Sequence, residues 1–455
     1  MKVALVRPCW YYPITYLEAT YNRIWFPLSL ANAAALLLQE GIEVKVVDAQ
    51  AERLRPEEVA RRISGADKVF ITSSGLDRWQ CPNTDIRPFL DVTRAIREVA
   101  SEVYVMGYHG TVFPKEVLEF TSATGVIRGE PEKAVLEISR KQRLAEIAGV
   151  TFRSHGDGEI INTPLAEPLD LSSLPIPAYG LFPLKRYFYE ILGRPFVLFE
   201  ATRGCPFGCI FCAKVMYGTR IRKKPTSHFL KEVDTAITRY GVKTGYFFDL
   251  EFTLDRDFVM EVSRYLAKKD YDFRWCCQTR ADKVDGEILE AMRKAGCRLI
   301  HSGIETGSQR IMKLINKGAT LQALEEGVRL IKKSGIEVLL FFMFGFPSET
   351  REDMEATIEI AKRLGPTYAA FHFAIPYPGT KFAEMMGEPG IGEADPAQLF
   401  PEVFVKEHSL DFLKKMVRRG LKEFYLRPRY ILDRMRYGRL SSLPGQLRLF
   451  LSYFR

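Results

Sequence analysis

Apolar runs rich in valine, isoleucine and phenylalanine alternate with amphipathic helical stretches over residues 1–140. Such runs, bounded by turn residues, predict buried strands, and their alternation with helices predicts a parallel α/β domain with a doubly wound sheet. The stretch LSLANAAALLLQEG after the first run ends at Gly41, a residue typical of helix ends. The predicted strands are KVALVRP, EVKVVDA, KVFITSS, VYVMG and GVIRG.

The loops that follow these strands form the expected binding edge, because ligands of open parallel sheets lie beyond the carboxyl ends of the strands. These loops span residues 8–26, 73–81, 107–111 and 128–131. The motif GxGxxG is absent from them, which disfavours a dinucleotide. A domain that binds another protein is the alternative interpretation.

Residues 141–195 are predicted to be a linker, because the stretch PLAEPLDLSSLPIPAYGLFPL contains five prolines and no sustained period. Six strand–helix repeats follow over residues 196–385 and predict a partial parallel barrel, in which functional residues lie at the carboxyl ends of the strands. The predicted strands lie in FVLFEATRG, KTGYFFDLE, FRWCCQT, CRLIHSGIE, EVLLFFMFG and TYAAFHFAI, with helices such as DGEILEAMRKAG and LQALEEGVRLIKKSG between them.

The net charge of +9 is confined to the C-terminus, since residues 411–455 contain twelve Lys or Arg against three acids. A nucleic-acid function for the whole chain is therefore disfavoured. Residues 386–455 are predicted to form a helical, basic extension, and four interpretations of it stay open. It caps the barrel, lies on a membrane surface, clamps an anionic substrate, or contacts RNA. The cap is the first choice, and a lipid or isoprenoid substrate at a membrane is the second.

The chain has no signal-peptide pattern, and its longest apolar run, Val338 to Phe346, is shorter than the ~18 residues that span a bilayer. A cytoplasmic location is expected, and peripheral membrane contact through the tail is the open addition to it. Thiols stay reduced there, so the eight cysteines are expected to bind metal, take part in catalysis or pack in the core.

Three of these cysteines, Cys205, Cys209 and Cys212, form CxxxCxxC directly after the first predicted barrel strand. Thiolates at this spacing suit a [4Fe–4S] cluster, which ordinarily takes four cysteines. The missing fourth ligand leaves one iron open to a substrate or cofactor. Zinc is disfavoured, because the nearest histidine is His228 and the order is not a zinc-finger pattern.

With Phe211 before the last cysteine, this motif resembles that of the radical S-adenosylmethionine (radical SAM) superfamily, and the resemblance covers most of residues 196–385. It implies that SAM chelates the open iron and is cleaved to a 5′-deoxyadenosyl radical that abstracts hydrogen from substrate. It also implies an electron donor such as flavodoxin or ferredoxin, and anaerobic conditions.

Further matches to the superfamily lie at the other predicted strand ends. Glu251, with Asp249 beside it, resembles the acidic residue that receives the SAM amino group. Arg280 is placed to pair with the SAM carboxylate or another anion. Glu305 is a predicted SAM contact, and Gly345 permits close approach to the adenosine. Alternatively, each carboxylate or guanidinium could form a buried ion pair with a purely structural role. No residue is assigned as a catalytic acid or base.

The first domain resembles that of the cobalamin-binding branch, which includes anaerobic magnesium-protoporphyrin cyclase, hopanoid enzymes and methyltransferases. The matching stretches are FPLSLANAAALLLQEGIEVKVVDA, VYVMGYHGTVFPKEVLE and GVIRGEPEKAVLEI. The histidine-ligand motif DxHxxG is absent, and His109 lies on a different loop, so cobalamin would bind without that ligand. Cys9 and Cys81 are candidates to touch cofactor or substrate. Cys276, Cys277 and Cys297 are predicted to be core residues.

The resemblance implies cobalamin-dependent methylation of an unactivated carbon. A cobalamin-free cyclisation, coupling or rearrangement of a lipid, isoprenoid or tetrapyrrole is the nearest rival. A non-catalytic iron–sulfur sensor or scaffold is the rival from another class.

Overall fold

The chain is described by a computed structural model over residues 1–10, 12–13, 20–21, 24–75, 85–140, 142–154, 156–387 and 407–437. Two sheets organise this part of the chain, one of seven strands and one of six. The prediction of a parallel α/β fold is confirmed, because the predicted strands of each series pair with one another in parallel.

The first sheet has the strand order 2-1-3-4-5 along its parallel part, which places its first strand next to the third and the second. This order is that of a flavodoxin-like doubly wound sheet, with its crevice between the first and third strands. The five parallel strands are Lys2–Arg7, Glu43–Asp48, Lys68–Thr72, Val103–Met106 and Gly125–Ile127. The helices around them are Leu28–Gln39, Ala49–Glu52, Pro56–Ile63, Arg87–Arg97, Tyr108–Val112, Pro114–Thr121 and Pro131–Ser139.

Two antiparallel strands, Val150–Arg153 and Ile160–Asn162, extend this sheet beyond the predicted boundary at residue 140. Strands this short show no clear alternation of apolar and polar residues, so the sequence analysis assigned these residues to the predicted linker. The later linker forms short 3₁₀ turns at Leu171–Ser173, Tyr179–Leu181 and Leu184–Arg186.

The second sheet has six parallel strands that pair in sequence order, the order predicted for a partial barrel. Along Glu337–Phe344, buried and half-buried residues alternate, because one face packs on helices while the other faces the lumen. The strands are Phe196–Phe199, Thr244–Phe247, Arg274–Gln278, Cys297–Glu305, Glu337–Phe344 and Tyr368–Phe373. The helices are Thr226–Tyr240, Arg256–Lys269, Gly286–Lys294, Gln309–Leu314, Leu321–Lys333, Arg351–Leu364 and Lys381–Met385.

Side-chain caps define where several barrel helices begin, since each accepts a backbone N–H of the first turn. Asp255, Asp285, Thr320 and Thr350 do this for four successive long helices. The strand cysteines Cys276, Cys277 and Cys297 are fully buried, as predicted for core residues.

The described part of the C-terminal extension forms two helices, Leu410–Tyr425 and Pro428–Tyr437. The first packs on the outer barrel strand, where the Tyr425 hydroxyl accepts from the Ala369 amide at 3.0 Å and donates to the Ala369 carbonyl at 2.8 Å. This placement agrees with the interpretation as a cap on the barrel. None of the described helices is both long and apolar enough to cross a membrane.

Candidate active site at the carboxyl edge of the barrel

The cysteine loop leaves the first barrel strand and is held by backbone contacts to the loop near residue 316. The Ile210 amide donates to the Ile315 carbonyl at 3.1 Å, and the Asn316 side chain donates to the Gly208 carbonyl at 3.0 Å. Gly204 has φ +92°, and a Cβ there would lie 2.2 Å from the Arg220 carbonyl oxygen. The tight curl of this loop therefore requires glycine.

Cys205 is buried, while Cys209 and Cys212 are half-buried. Burial raises the pKa of the Cys205 and Cys209 thiols. No three His, Cys, Asp or Glu side chains of the described residues converge on a single ion. A cluster does not need such convergence, because its three thiolates bind three different irons. The spacing, the shared loop and the surrounding glycines therefore fit a [4Fe–4S] cluster better than a mononuclear metal.

The two candidate acids after the second strand have different surroundings. Asp249 accepts from the Ala201 amide at 3.2 Å and the Thr202 hydroxyl at 2.5 Å, so it holds the turn that leads into the cysteine loop. Glu251 accepts from the Arg280 amide at 2.8 Å, and burial raises its pKa to about 7. Glu251 also interacts electrostatically with Cys205, and its contact with SAM stays a prediction.

Arg280 lies against the cysteine loop, but its guanidinium donates to the protein itself. It pairs with Asp282 through Nε at 2.9 Å and Nη2 at 3.1 Å, and it also donates to the carbonyls of Lys317 and Gly318. Its face covers the Phe207 ring, 4.1 Å from the ring centre. Through these contacts Arg280 holds the loop at residues 317 and 318 next to Phe207 of the cysteine loop. Its pairing with SAM stays a prediction.

Glu305 closes the fourth strand in a left-handed conformation with φ +69°, which is rare for a residue other than glycine. Its Oε1 accepts from Lys317 Nζ at 2.8 Å, and both side chains are 7% exposed. A Cβ on Gly303 would lie 1.8 Å from Glu305 Oε1, so the strand bulge with glycine makes room for this pair. Backbone strain of this kind concentrates at functional sites.

Gly345 follows the fifth strand with φ +96°, and a Cβ there would lie 3.1 Å from Leu413. The amides of Gly345 and Phe346 donate to Glu349 Oε2 at 2.6 and 3.1 Å. Phe346 in turn packs on Phe211 of the cysteine loop, with ring centres 5.7 Å apart. The Phe211–Phe346 contact therefore brings the cysteine loop next to the end of the fifth strand, where Gly345 lies.

A buried ion cluster joins the cysteine loop to the first domain. Arg203, next to Gly204, donates to Glu130 at 2.8 Å, Glu132 at 2.5 Å and Glu200 at 2.9 Å. Arg222 also pairs with Glu130, at 2.9 Å. These five residues, here called the interdomain cluster, connect loops that follow strands in both sheets.

The carboxyl edges of the two sheets thus face each other. A second contact is the Tyr108 hydroxyl of the first domain, which donates to the Pro378 carbonyl after the sixth barrel strand at 2.7 Å. At this edge Ser73 Oγ is buried without a protein partner in the described residues, and a Cβ on Gly107 would lie 2.9 Å from it. Cys9 is half-buried, and Cys81 lies outside the described residues.

Sequence reasoning missed Lys317, Glu349 and the interdomain cluster. Lys317 and Glu349 lie beyond the strand-end motifs, in NKGAT and PSET, and only their burial singles them out. Arg203 precedes the cysteines directly, but its three carboxylate partners are recognisable only once the two domains pack.

A cysteine loop and buried charges at the carboxyl edge of a parallel partial barrel are the arrangement expected of an iron–sulfur enzyme. Residues 199–361 match the sequence model of the Radical SAM superfamily. The chain is 30% identical over 425 residues to an uncharacterised methyltransferase of Pyrococcus horikoshii, with 89% of each chain covered. The chain therefore belongs to the radical SAM superfamily, whose enzymes use a [4Fe–4S] cluster and SAM.

Other similarities extend over both domains. The anaerobic magnesium-protoporphyrin IX monomethyl ester cyclase of Rubrivivax gelatinosus is 25% identical over 381 residues, covering 80% of this chain and 67% of the cyclase. The cobalamin-bound radical SAM methyltransferase TsrM of Kitasatospora setae aligns with a TM-score of 0.68 at 19% identity, covering 85% of this chain and 78% of TsrM. The cobalamin-dependent enzyme OxsB aligns with a TM-score of 0.74 at 17% identity, covering 100% of this chain and 72% of OxsB. The two structures share the fold with this chain.

Proposed function

We propose that this chain is a cobalamin-dependent radical SAM methyltransferase that methylates an unactivated carbon of a small-molecule or lipid substrate. The observation that carries the proposal is the contact between the two carboxyl edges through the interdomain cluster and the Tyr108–Pro378 hydrogen bond. Ligands of doubly wound sheets and of parallel barrels both lie at this edge, so a corrin on the first domain would adjoin the cluster. The methyltransferase and cobalamin-dependent relatives support the same assignment.

The protein groups at the first-domain edge fit a ligand. Ser73 offers a buried hydroxyl without a protein partner in the described residues, and Gly107 keeps the space beside it open. His109 is fully buried in the short helix after the fourth strand and forms an edge contact with Tyr108, which agrees with a structural role. Cobalamin bound here would supply a transferable methyl group.

On the barrel side, Cys205, Cys209 and Cys212 would hold the cluster, and Glu251 would accept a hydrogen bond from the SAM amino group. Asp249, Arg280 and Glu349 would keep the loops in place through their backbone contacts. An electron donor such as flavodoxin or ferredoxin would reduce the cluster.

The similarity to the cyclase favours a second candidate, a cobalamin-free radical reaction such as cyclisation or coupling. Membrane contact through the tail is compatible with both candidate functions when the substrate is a lipid. In and between the two described C-terminal helices, Leu426, Ile431 and Leu432 are exposed, and liposome flotation of the full chain tests whether they bind a membrane.

Anaerobic reconstitution with iron, sulfide and hydroxocobalamin tests the two candidates. After desalting, the absorption spectrum reports corrin retention beside the iron–sulfur band, and chromatography reports 5′-deoxyadenosine. We expect stoichiometric corrin. SAM cleavage without corrin retention would contradict methyl transfer and favour the second candidate.

Two glycine variants test whether corrin binds at the carboxyl edge of the first sheet. Gly107→Ala places a methyl group 2.9 Å from Ser73 Oγ at a backbone φ of +109°, whereas Gly41→Ala, also at a positive φ of +68°, has no neighbour within 4 Å. We expect Gly107→Ala to lose corrin and keep the cluster, and Gly41→Ala to retain both. Equal retention by the two variants would argue against this edge as the corrin site.

A further inference from the structure

Four exposed cations lie around the cysteine loop, each on a segment that follows a different barrel strand. They are Arg220, Lys283, Lys313 and Lys381, here called the cationic surface, and they follow the first, third, fourth and sixth strands. The chain outside residues 411–455 is neutral overall, so this grouping is not a consequence of composition. The fold has collected these charges at one edge of the barrel.

Arg220 and Lys283 lie against the start of the cysteine loop. A Cβ on Gly204 would lie 2.2 Å from the Arg220 carbonyl oxygen. The Lys283 ammonium lies 5.9 Å from the ring centre of Phe207, a residue between the first two cysteines. Both residues are exposed, so two positive charges face solvent at this end of the loop.

Lys313 and Lys381 lie on the segments that hold the other end of the loop. The Ile210 amide donates at 3.1 Å to the carbonyl of Ile315, two residues after Lys313. The Ile210 carbonyl accepts at 3.0 Å from the amide of Phe382, which follows Lys381. Both lysines are exposed. A partner that covers the cationic surface therefore also covers the loop that carries all three cysteines.

The charges of the cationic surface have little compensation from the protein. Within the part of the chain that the structure describes, three of the four cations form no ion pair, and Lys283 lies 3.6 Å from Asp282. Glu384 is the exposed acid on the segments concerned, which span residues 218–222, 281–284, 309–316 and 380–385. Such a surface has a positive potential and attracts a negatively charged partner.

Apolar side chains accompany these charges on the segment after the cysteines. Val215 is 39% exposed and Ile221 is 37% exposed. Exposed charges around a few apolar contacts suit a small, short-lived protein interface, in which charge steers association more than it raises affinity. The composition of the surface therefore favours a protein that binds, acts and leaves.

We infer that the cationic surface docks a negatively charged electron-carrier protein, of the flavodoxin or ferredoxin kind, over the cysteine loop. One electron passes from the reduced carrier to the cluster, so the carrier is oxidised and the cluster reduced by one electron each, and no bond forms or breaks. The position of the surface favours this partner, because a membrane or a nucleic acid supplies no electron. The inference rests on the cluster that the proposed function also needs, and it is independent of cobalamin and of methyl transfer.

Equilibrium binding of an oxidised flavodoxin to the reconstituted chain under anaerobic conditions tests the surface. Titration calorimetry gives the Kd at about 50 and about 300 mM salt, and the wild-type Kd should rise at least about tenfold between them because salt screens exposed charges. The triple variant Arg220→Glu, Lys313→Glu, Lys381→Glu should bind at least about tenfold more weakly at low salt and lose most of this salt dependence.

The matched control reverses the same residue types at the opposite edge of the barrel, with Arg239→Glu, Lys268→Glu and Lys333→Glu. Each residue is exposed in the last turn of a helix that returns to the amino edge. The two triple variants have equal net charge, so a difference between them reports where the charge lies. The control should bind flavodoxin within about threefold of the wild type, because charges beyond a Debye length are screened.

A second measurement separates docking from support of the loop. Cleavage of SAM to 5′-deoxyadenosine is driven either by reduced flavodoxin or by dithionite, a small reductant that needs no protein interface. The ratio of the flavodoxin-driven to the dithionite-driven rate should fall at least about tenfold in the first triple variant and stay constant in the control. The corresponding glutamine variants repeat both measurements should the charge reversals prevent uptake of the cluster.

Unchanged flavodoxin binding in the first triple variant, or an equal loss of cleavage with both reductants, would overturn the inference. Loss of binding to phosphatidylserine vesicles with flavodoxin binding unchanged would assign the surface to a membrane and overturn it as well. Failure of dithionite to drive SAM cleavage in the wild type would overturn the proposed function instead.

Discussion

Two buried charged clusters contact the cysteine loop, and they differ in how far the protein satisfies them. In the interdomain cluster, Arg203 uses all three guanidinium nitrogens on the carboxylates of Glu130, Glu132 and Glu200. In the strand-end cluster, formed by Glu251, Arg280, Glu305 and Lys317, Arg280 likewise donates from all three guanidinium nitrogens. Lys317 has a single protein acceptor among the described residues.

The difference separates a structural network from a binding site. A cluster that satisfies its own charges fixes the relative position of two elements and has no donor for a ligand. A buried cation that leaves donors unused has the capacity to bind a ligand. The interdomain cluster therefore joins the cysteine loop to the other domain, whereas the strand-end cluster keeps hydrogen-bonding capacity at Lys317.

The largest effect is expected from a substitution of Cys209, one of the three cysteines predicted to bind the iron–sulfur cluster. Cys209→Ala leaves two thiolates, so the iron–sulfur absorption band and 5′-deoxyadenosine production should both be lost while the fold persists. Iron analysis and chromatography of the reconstituted variant measure this. Cys276→Ala, at a fully buried strand cysteine, is the control and should keep the cluster. Persistent SAM cleavage in Cys209→Ala would contradict the assignment of the cysteine loop.

Breaking the interdomain cluster should lower stability most. Arg203→Met leaves three carboxylates without their common cation in a buried place, and about 3–5 kcal/mol of unfolding free energy should be lost. Urea denaturation measures the loss. Arg329→Met, at an exposed pair with Glu326, should leave the unfolding midpoint nearly unchanged. A small loss in Arg203→Met would mean that the domains are held by other contacts.

The pH dependence of stability should reveal Glu349, which supports the barrel edge beside the strand-end cluster. Burial raises its pKa to about 7, while in the unfolded chain it returns to about 4.5. The native state then binds the extra proton, so its contribution of about 3 kcal/mol is present below pH 4.5 and is lost as the pH rises to 7. Glu349→Gln should flatten the decrease in unfolding free energy between pH 5 and 8, and parallel curves for both proteins would contradict this assignment.

The smallest effect is expected from Arg222→Lys, which separates the contribution of hydrogen-bond geometry from that of charge in the interdomain cluster. Arg222→Lys keeps the charge and loses the two-pronged contact with Glu130, so it should cost about 1 kcal/mol of unfolding free energy. Thermal denaturation at equal pH and salt detects this shift. A loss as large as that of Arg203→Met would mean that Arg222 carries the interdomain contact.

The sequence alone determined the two series of strands, the cysteine loop and most strand-end residues. Parallel strands covered on both faces are visible as apolar runs, as in Lys68–Thr72, where every residue is buried. CxxxCxxC is local, so its chemistry can be inferred without the fold. The antiparallel extension to Asn162 was not predictable, because strands of three or four residues have no distinct period.

Only the tertiary structure decided which partners the buried charged side chains have. The sequence analysis named Arg280 as an anion partner and did not identify Lys317, whereas packing gives Arg280 the Asp282 carboxylate and two carbonyls and pairs Lys317 with Glu305. Likewise, Arg203 meets Glu132, 71 positions away, because two sheets face each other. Burial and pairing depend on residues far apart in the chain, so the difference between Arg280, which holds a loop, and Lys317, which keeps hydrogen-bonding capacity, exists only in the folded protein.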